Sequence, residues 1–285
     1  YCYDITMVAH HIIADMLSAT ILFKELWSAY HQLLVGSDPT FPNPNPQSYL
    51  DFVQVLRDEE KKGTMNEHLN YWKEQFPDAE SRFEVPVDHV KGPNIEASAE
   101  SARFVLSKAQ TKQLLSQGKA YYQSNFYPIL LAPLYRLLGD WSQRKQVVIS
   151  HRSHGRDLGE GQSFMESMGN YAVNFPIGIN LSTSTTWQKT ISTINEQFES
   201  LPMNGVTYDW IGESLPEYLY PDSNLTPVRA NYLGNRSVPL SDLFEFVYGE
   251  RDCRLSPLDQ KRTTLIEFFF LIIDGQLEIR IEYSR

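Results

Sequence analysis

Hydrophobic and polar positions change period several times along this chain. Residues Tyr3 to His11 alternate, with Tyr3, Ile5, Met7, Ala9 and His11 on one face and Asp4, Thr6, Val8 and His10 on the other. Such a pattern predicts a strand that turns its two histidines to opposite sides. From Leu17 the spacing becomes helical: Leu22, Leu26, Ala29 and Leu33 fall on one stripe, with Asp15 near the helix start as an N-cap. Pro42, Pro44 and Pro46 then set a rigid loop before a second helix near Ser48 to Lys62, which Gly63 interrupts. A third helix, Met65 to Phe76, carries Tyr71 and Trp72 and stops at Pro77. A polar stretch with proline and glycine runs from Val85 to about Ser98, where a boundary between two lobes is expected, 1–97 and 98–285.

The second part alternates strands and helices in the same way. A strand is predicted at Ala102 to Leu106, a helix ending near Gly118, an apolar helix at Tyr127 to Trp141 and a buried strand at Gln146 to Ser150. A loop rich in histidine and arginine follows, His151-Arg152-Ser153-His154-Gly155-Arg156-Asp157. Further strands are expected near Val228 to Leu233, Thr264 to Ile273 and Leu277 to Tyr283, the last two joined by an Asp274-Gly275 hairpin turn.

Composition narrows the function classes. The 285 residues are 42% hydrophobic and 13% aromatic, enough for two ordinary cores. With 25 Lys plus Arg against 35 Asp plus Glu the formal charge is -10, and no basic stripe stands out, which argues against a nucleic-acid partner. Cys2 and Cys253 are too few for a disulfide framework and are expected as free thiols, as a reducing cytoplasm leaves them. The longest apolar run, Leu265 to Ile273, is of strand length, so no membrane partner is expected. The chain lacks an initiator methionine and begins inside an expected strand, so it reads as part of something longer.

His10, His11 and Asp15 crowd reactive groups onto a strand-to-helix turn. Adjacent histidines on a strand do not converge on one ion, which argues against a metal. The plain reading is two sheet histidines and an N-cap. A buried Asp15 requires a cation, since an isolated buried carboxylate protonates instead. No Gly-x-Ser-x-Gly nucleophile turn is present.

These residues resemble the His-His-x-x-x-Asp-Gly motif of the condensation-domain superfamily of nonribosomal peptide synthetases, which includes their epimerization domains and related acyltransferases. The Gly155-Arg156 pair is similar to a second element of that family, which implies Arg156 as the cation that Asp15 requires. Met168-Gly169-Asn170-Tyr171-Ala172-Val173-Asn174 resembles a third, Gly-x-Phe-x-Asn, with Tyr171 for phenylalanine and the asparagine one residue further on. The three occur in family order over nearly the whole chain. The resemblance implies a chloramphenicol-acetyltransferase-like α/β sandwich in two lobes, here with an incomplete amino-terminal lobe. By matching position it implies a catalytic set of His11, His10 and Asp15, with His11 as the catalytic histidine and Asp15 holding the loop. The strand parity turns His11 into a cleft between the lobes and His10 to packed interior. Arg156 and Asn174 support the cleft, and Met16, standing where the family has glycine, narrows the channel.

The implied reaction is attack by the amine of an aminoacyl thioester on a donor acyl or peptidyl thioester. Both substrates are carried on phosphopantetheine arms of carrier proteins beside an adenylation domain, and no cofactor is bound by this domain itself. Gly205-Val206-Thr207-Tyr208-Asp209 and Asn231-Tyr232-Leu233-Gly234 resemble epimerization domains instead. Those enzymes carry a glutamate where this chain has Arg152, and inverting a carbon needs two acid/base groups. A non-catalytic docking platform, with Met16 blocking the channel, is the remaining alternative.

Overall fold

The computed structural model describes residues 8–41, 43, 46–89, 92–159, 161–219, 226–235 and 256–285. In chain order its helices are α1 (Met16–Leu34), α2 (Tyr49–Lys62), α3 (Thr64–Gln75), α4 (Lys108–Gln113), α5 (Lys119–Tyr122), α6 (Phe126–Ser142), α7 (Trp187–Glu199) and α8 (Thr207–Trp210). The strands are β1 (Ala99–Val105), β2 (Gln146–Ser153), β3 (Asp157–Gly159), β4 (Gln162–Ser163), β5 (Val173–Asn180), β6 (Val228–Asn235), β7 (Ile266–Ile273) and β8 (Gln276–Ser284). The chain forms two compact units, one from residues up to 64 with 154–172 and one from most of the remainder.

The first unit holds α1, α2 and the segment 154–172, which contains the short β3–β4 pair. Asp15 caps α1 by accepting the Ser18 N–H, and Ser48 caps α2 in a reciprocal box with Asp51. Gly63, at φ +86, ends α2 in the left-handed conformation that suits a residue without Cβ. Aromatic rings join α2 to the returning segment: Phe52 meets Phe164 edge-on at 5.4 Å and Tyr171 at 4.9 Å, and Tyr49 meets Tyr171 at 4.9 Å. Edge-to-face pairs of this kind contribute beyond the area they bury.

The second unit is built on a six-stranded sheet ordered β1-β8-β7-β6-β2-β5. β6 runs parallel to both of its neighbours and the other pairings are antiparallel. β2 and the neighbouring edge strand β5 are apolar, with Val147, Val148 and Ile149 of β2 and Ile177 and Ile179 of β5 buried, as expected for strands covered on both faces. α6 packs on β2, with its Tyr135 hydroxyl donating to the Ile177 carbonyl of β5, and α7 packs against α6. The expected Asp274-Gly275 turn joins β7 to β8 with positive φ at both residues (+49 and +75), the signature of a two-residue hairpin. Trp72 of α3 is buried against Tyr71 and Tyr208.

Two expectations are corrected, and one stripe is found exposed. The His/Arg cluster is not a loop from residue 151: β2 continues through Ser153 because Arg152 and Ser153 pair with Asn174 and Val173 of β5. Asn174, which as an asparagine leading into a strand would read as a turn residue, accordingly lies within β5. The α1 stripe is uncovered among the described residues, with Leu22, Leu26 and Leu33 at 37%, 38% and 59% exposure. Periodicity shows which side chains share a face and says nothing of what covers that face. Most of the strand expected at Tyr3 to His11, together with Cys2 and Cys253, lies outside the described residues, and Val8–His10 are irregular.

Candidate functional site

The site is assembled within the first unit around Asp15. As the α1 N-cap, Asp15 already spends one oxygen on the backbone, with Oδ1 accepting the Ser18 N–H at 2.9 Å. Oδ2 accepts the Tyr171 N–H at 3.1 Å. Arg156 then closes a two-pronged pair, Nη1 to Oδ2 at 2.5 Å and Nη2 to Oδ1 at 2.8 Å, with its guanidinium fully buried. That fork matches a carboxylate as a point charge does not. The guanidinium sits 4.3 Å over the Tyr171 ring, and its remaining protons go to the carbonyls of Ser167 and Gly169 and to Ser18 Oγ.

Ser18 completes the knot. Its hydroxyl accepts from Arg156 Nη2 and from the Gly169 N–H, and it lies within donating distance of Asp15 Oδ1 and of the Gly169 carbonyl. Burial by itself raises the Asp15 pKa and is the largest single influence. The hydrogen bond from Arg156, the N–H groups of Ser18 and Tyr171 and the Arg156 charge together outweigh it and hold the carboxyl below 3.8. Asp15 is therefore ionised, and buried charge of both signs is neutralised in place.

Next to this rigid knot the histidine turn is open. Residues 11–13 form a turn, and the rings of His10 and His11 are both exposed. The expected burial of His10 is thus corrected: with no strand there to set opposite faces, its Nδ1 accepts the Ile12 N–H at 3.1 Å and caps the turn. Met16, the first residue of α1, is 54% exposed. Asp15 and Arg156 meet as the sequence required. Asn174 belongs to the second unit, where its side chain accepts from Arg152 Nε at 3.0 Å. Arg152 Nη1 also lies 4.0 Å from Glu267.

Sequence reasoning missed Ser18, Ser167 and the backbone of Gly169 as parts of the site. Ser18 was open to discovery, because the third helical position after an Asp cap is where that cap's backbone bond lands. The carbonyls of Ser167 and Gly169 carry no residue-type signal. Among the described residues no group of three or more His, Cys, Asp or Glu is arranged to hold a metal ion, and no helix is long and apolar enough to cross a membrane.

Comparison with known proteins adds a context for this geometry. The family model described as the condensation domain matches residues 3–284. Tyrocidine synthase 1 of Brevibacillus parabrevis is 26% identical over 98% of this chain and 26% of its own length. Tyrocidine synthase 2 of the same organism is 25% identical over 97% of this chain and 8% of its own. The chain therefore spans a small part of these relatives. Among solved structures, the epimerization domain from the third module of tyrocidine synthetase B superposes with a TM-score of 0.76 at 22% identity, covering 97% of this chain and 62% of that one. The architecture is that of these domains, the chloramphenicol-acetyltransferase-like fold.

Proposed function

Because this chain belongs to the condensation-domain family of nonribosomal peptide synthetases, we propose that it forms an amide bond between two thioester-tethered substrates, with His11 as the group that handles the proton. The observation that carries this reading is the bidentate Asp15–Arg156 pair, which anchors the end of the turn bearing an exposed His11. The amine nitrogen of an acceptor aminoacyl thioester attacks the donor carbonyl carbon. A tetrahedral intermediate forms, the C–S bond breaks, and the amine proton passes by way of His11 to the departing thiolate. An α-amine with a pKa of roughly 8 is already partly neutral at pH 7, so much of the acceleration comes from positioning. The substrates arrive on phosphopantetheine arms of carrier proteins, loaded by an adenylation domain in the cytoplasm. Arg152 stands where an epimerase needs its second acid/base group, and a guanidinium does not exchange protons near neutrality, which favours condensation over epimerization.

Single-turnover transfer between two loaded carrier proteins tests the assignment. His11→Ala is expected to slow amide formation roughly 10²-fold while carrier binding is unchanged. Full-rate amide formation by the variant would remove His11 from the chemistry, and inversion of the loaded residue without a new amide would replace condensation by epimerization.

A further inference from the structure

The Ser18 hydroxyl is fully buried and its bonding capacity is used up. It accepts from Arg156 Nη2 at 2.9 Å and from the Gly169 N–H at 3.1 Å, which occupies both lone pairs. Its one proton has two acceptors in reach, Asp15 Oδ1 at 3.0 Å and the Gly169 carbonyl at 2.8 Å. Asp15 Oδ1 is already served by the Ser18 N–H and by Arg156 Nη2, whereas the Gly169 carbonyl has a 3.3 Å contact from the same guanidinium. The proton therefore belongs to the Gly169 carbonyl, and the hydroxyl bonds the Gly169 backbone in both directions.

The two ends of this link differ in freedom. Gly169 is a fixed post: a Cβ there would lie 2.7 Å from the Tyr49 ring and 2.8 Å from the Tyr171 ring, so its backbone runs hard against both. Ser18 stands on the first turn of α1, and its hydroxyl hangs from a single rotatable bond. Arg156 reaches Asp15 over a long side chain that can follow a small backbone shift without losing the carboxylate. The short arm of Ser18 cannot follow, because a shift of about 1 Å takes its bonds out of range. On the other side of Asp15, Ala14 alone separates the cap from the histidine turn, which the Ile13 N–H closes on the His10 carbonyl at 3.1 Å. The path of that turn is thus inherited from the first turn of α1.

We propose that Ser18 is a positioning residue: by clamping the first turn of α1 to Gly169 it fixes the path of residues 11–14, and with it the place from which His11 handles the proton of the amine. The inference rests on the amide-forming reading above. Ser18 touches no substrate and gives up no proton in the cycle. A misplacement of about 1 Å at a reacting group costs as much as 10²-fold in rate, so a hydroxyl that sets backbone position registers in turnover and leaves the binding of carrier proteins alone.

The test is Ser18→Ala, which keeps the Ser18 N–H on Asp15 and the Asp15–Arg156 pair and removes only the hydroxyl. Ser18→Cys, which fills similar space with a weaker donor and acceptor, stands in with the same expected direction if the alanine variant does not fold. Two quantities are read where thermal unfolding shows the variant folded. One is the ¹⁵N relaxation of the amides of residues 11–14 and of α1, and the other is single-turnover transfer between loaded carrier proteins over a range of carrier concentration. Residues 11–14 are expected to gain mobility while α1 beyond its first turn does not. The rate at saturation is expected to fall roughly 10- to 10²-fold with the half-saturating carrier concentration unchanged. Wild-type rate in the folded variant overturns the proposal, as does a rate loss without loosening of residues 11–14, or a loosening that runs through the whole of α1. Absence of amide formation by the wild type, or full activity of His11→Ala, sinks the condensing reading instead, and the relaxation of residues 11–14 then decides for or against Ser18 by itself.

Discussion

At the scale of single residues, the most constrained group in the second unit is His151. It is fully buried, with Tyr127 Oη 3.0 Å from Nδ1 and Tyr135 Oη 3.0 Å from Nε2. Tyr135 spends its one proton on the Ile177 carbonyl at 3.0 Å, so it must accept from His151, and Tyr127 must donate. Three side chains and a carbonyl thus form a line of hydrogen bonds with one polarity, and every proton has a place only while the ring is neutral. Desolvation lowers the His151 pKa to about 3 from an ordinary 6.5. A folded-state value below the unfolded one means that the unfolded chain binds the extra proton, so stability is complete above 6.5 and falls as pH drops toward 3. The slope is up to about 1.4 kcal/mol per pH unit for one proton. His151→Gln offers a donor and an acceptor but no titration, and urea unfolding between pH 6.5 and 4 is expected to show a flatter profile for it. Identical profiles would mean that His151 takes no part in acid destabilisation.

Between elements, the Asp15–Arg156 pair ties the start of α1 to the segment 154–172. Arg156→Met would leave the carboxylate buried with two backbone N–H groups and Ser18 but no charge to balance it. A loss of about 3–5 kcal/mol is expected, measured by urea unfolding, and an Asp15→Asn/Arg156→Met double variant should cost less than the sum of its parts. Additive costs would show that the two groups do not act together. This pairing was legible because a carboxylate at a buried cap needs a cation and the family resemblance singled out Gly155-Arg156 to supply it. Helix ends were legible locally, since Ser48 and Gly63 act on their own neighbours. What lay beyond sequence reasoning depends on distant partners. The polar residues Arg152 and Ser153 extend β2 only because β5 supplies a ladder for them, and the Leu22, Leu26 and Leu33 face was correctly grouped while its covering was not encoded in its period.

For the molecule as a whole, elements close in sequence and elements far apart serve different ends. The β7–β8 hairpin needs a turn of two residues, and its ladder runs from Ile266 to Ile273. The clasp on Asp15 joins residues 141 positions apart. Bringing such ends together costs about 2 kcal/mol more in chain entropy than closing a ten-residue loop, and the reward comes only after Arg156, Ser18 and Tyr171 are all in place. The Asp15 clasp is therefore expected to form after the β7–β8 hairpin. In pulse-labelled hydrogen exchange during refolding, the Phe268 to Ile272 amides are expected to gain protection before those of Ser18 and Tyr171, and simultaneous protection would contradict this order. A refolding chain would then pass through an interval in which the β7–β8 hairpin is in place while the start of α1 still lacks the contacts that hold it to the segment 154–172.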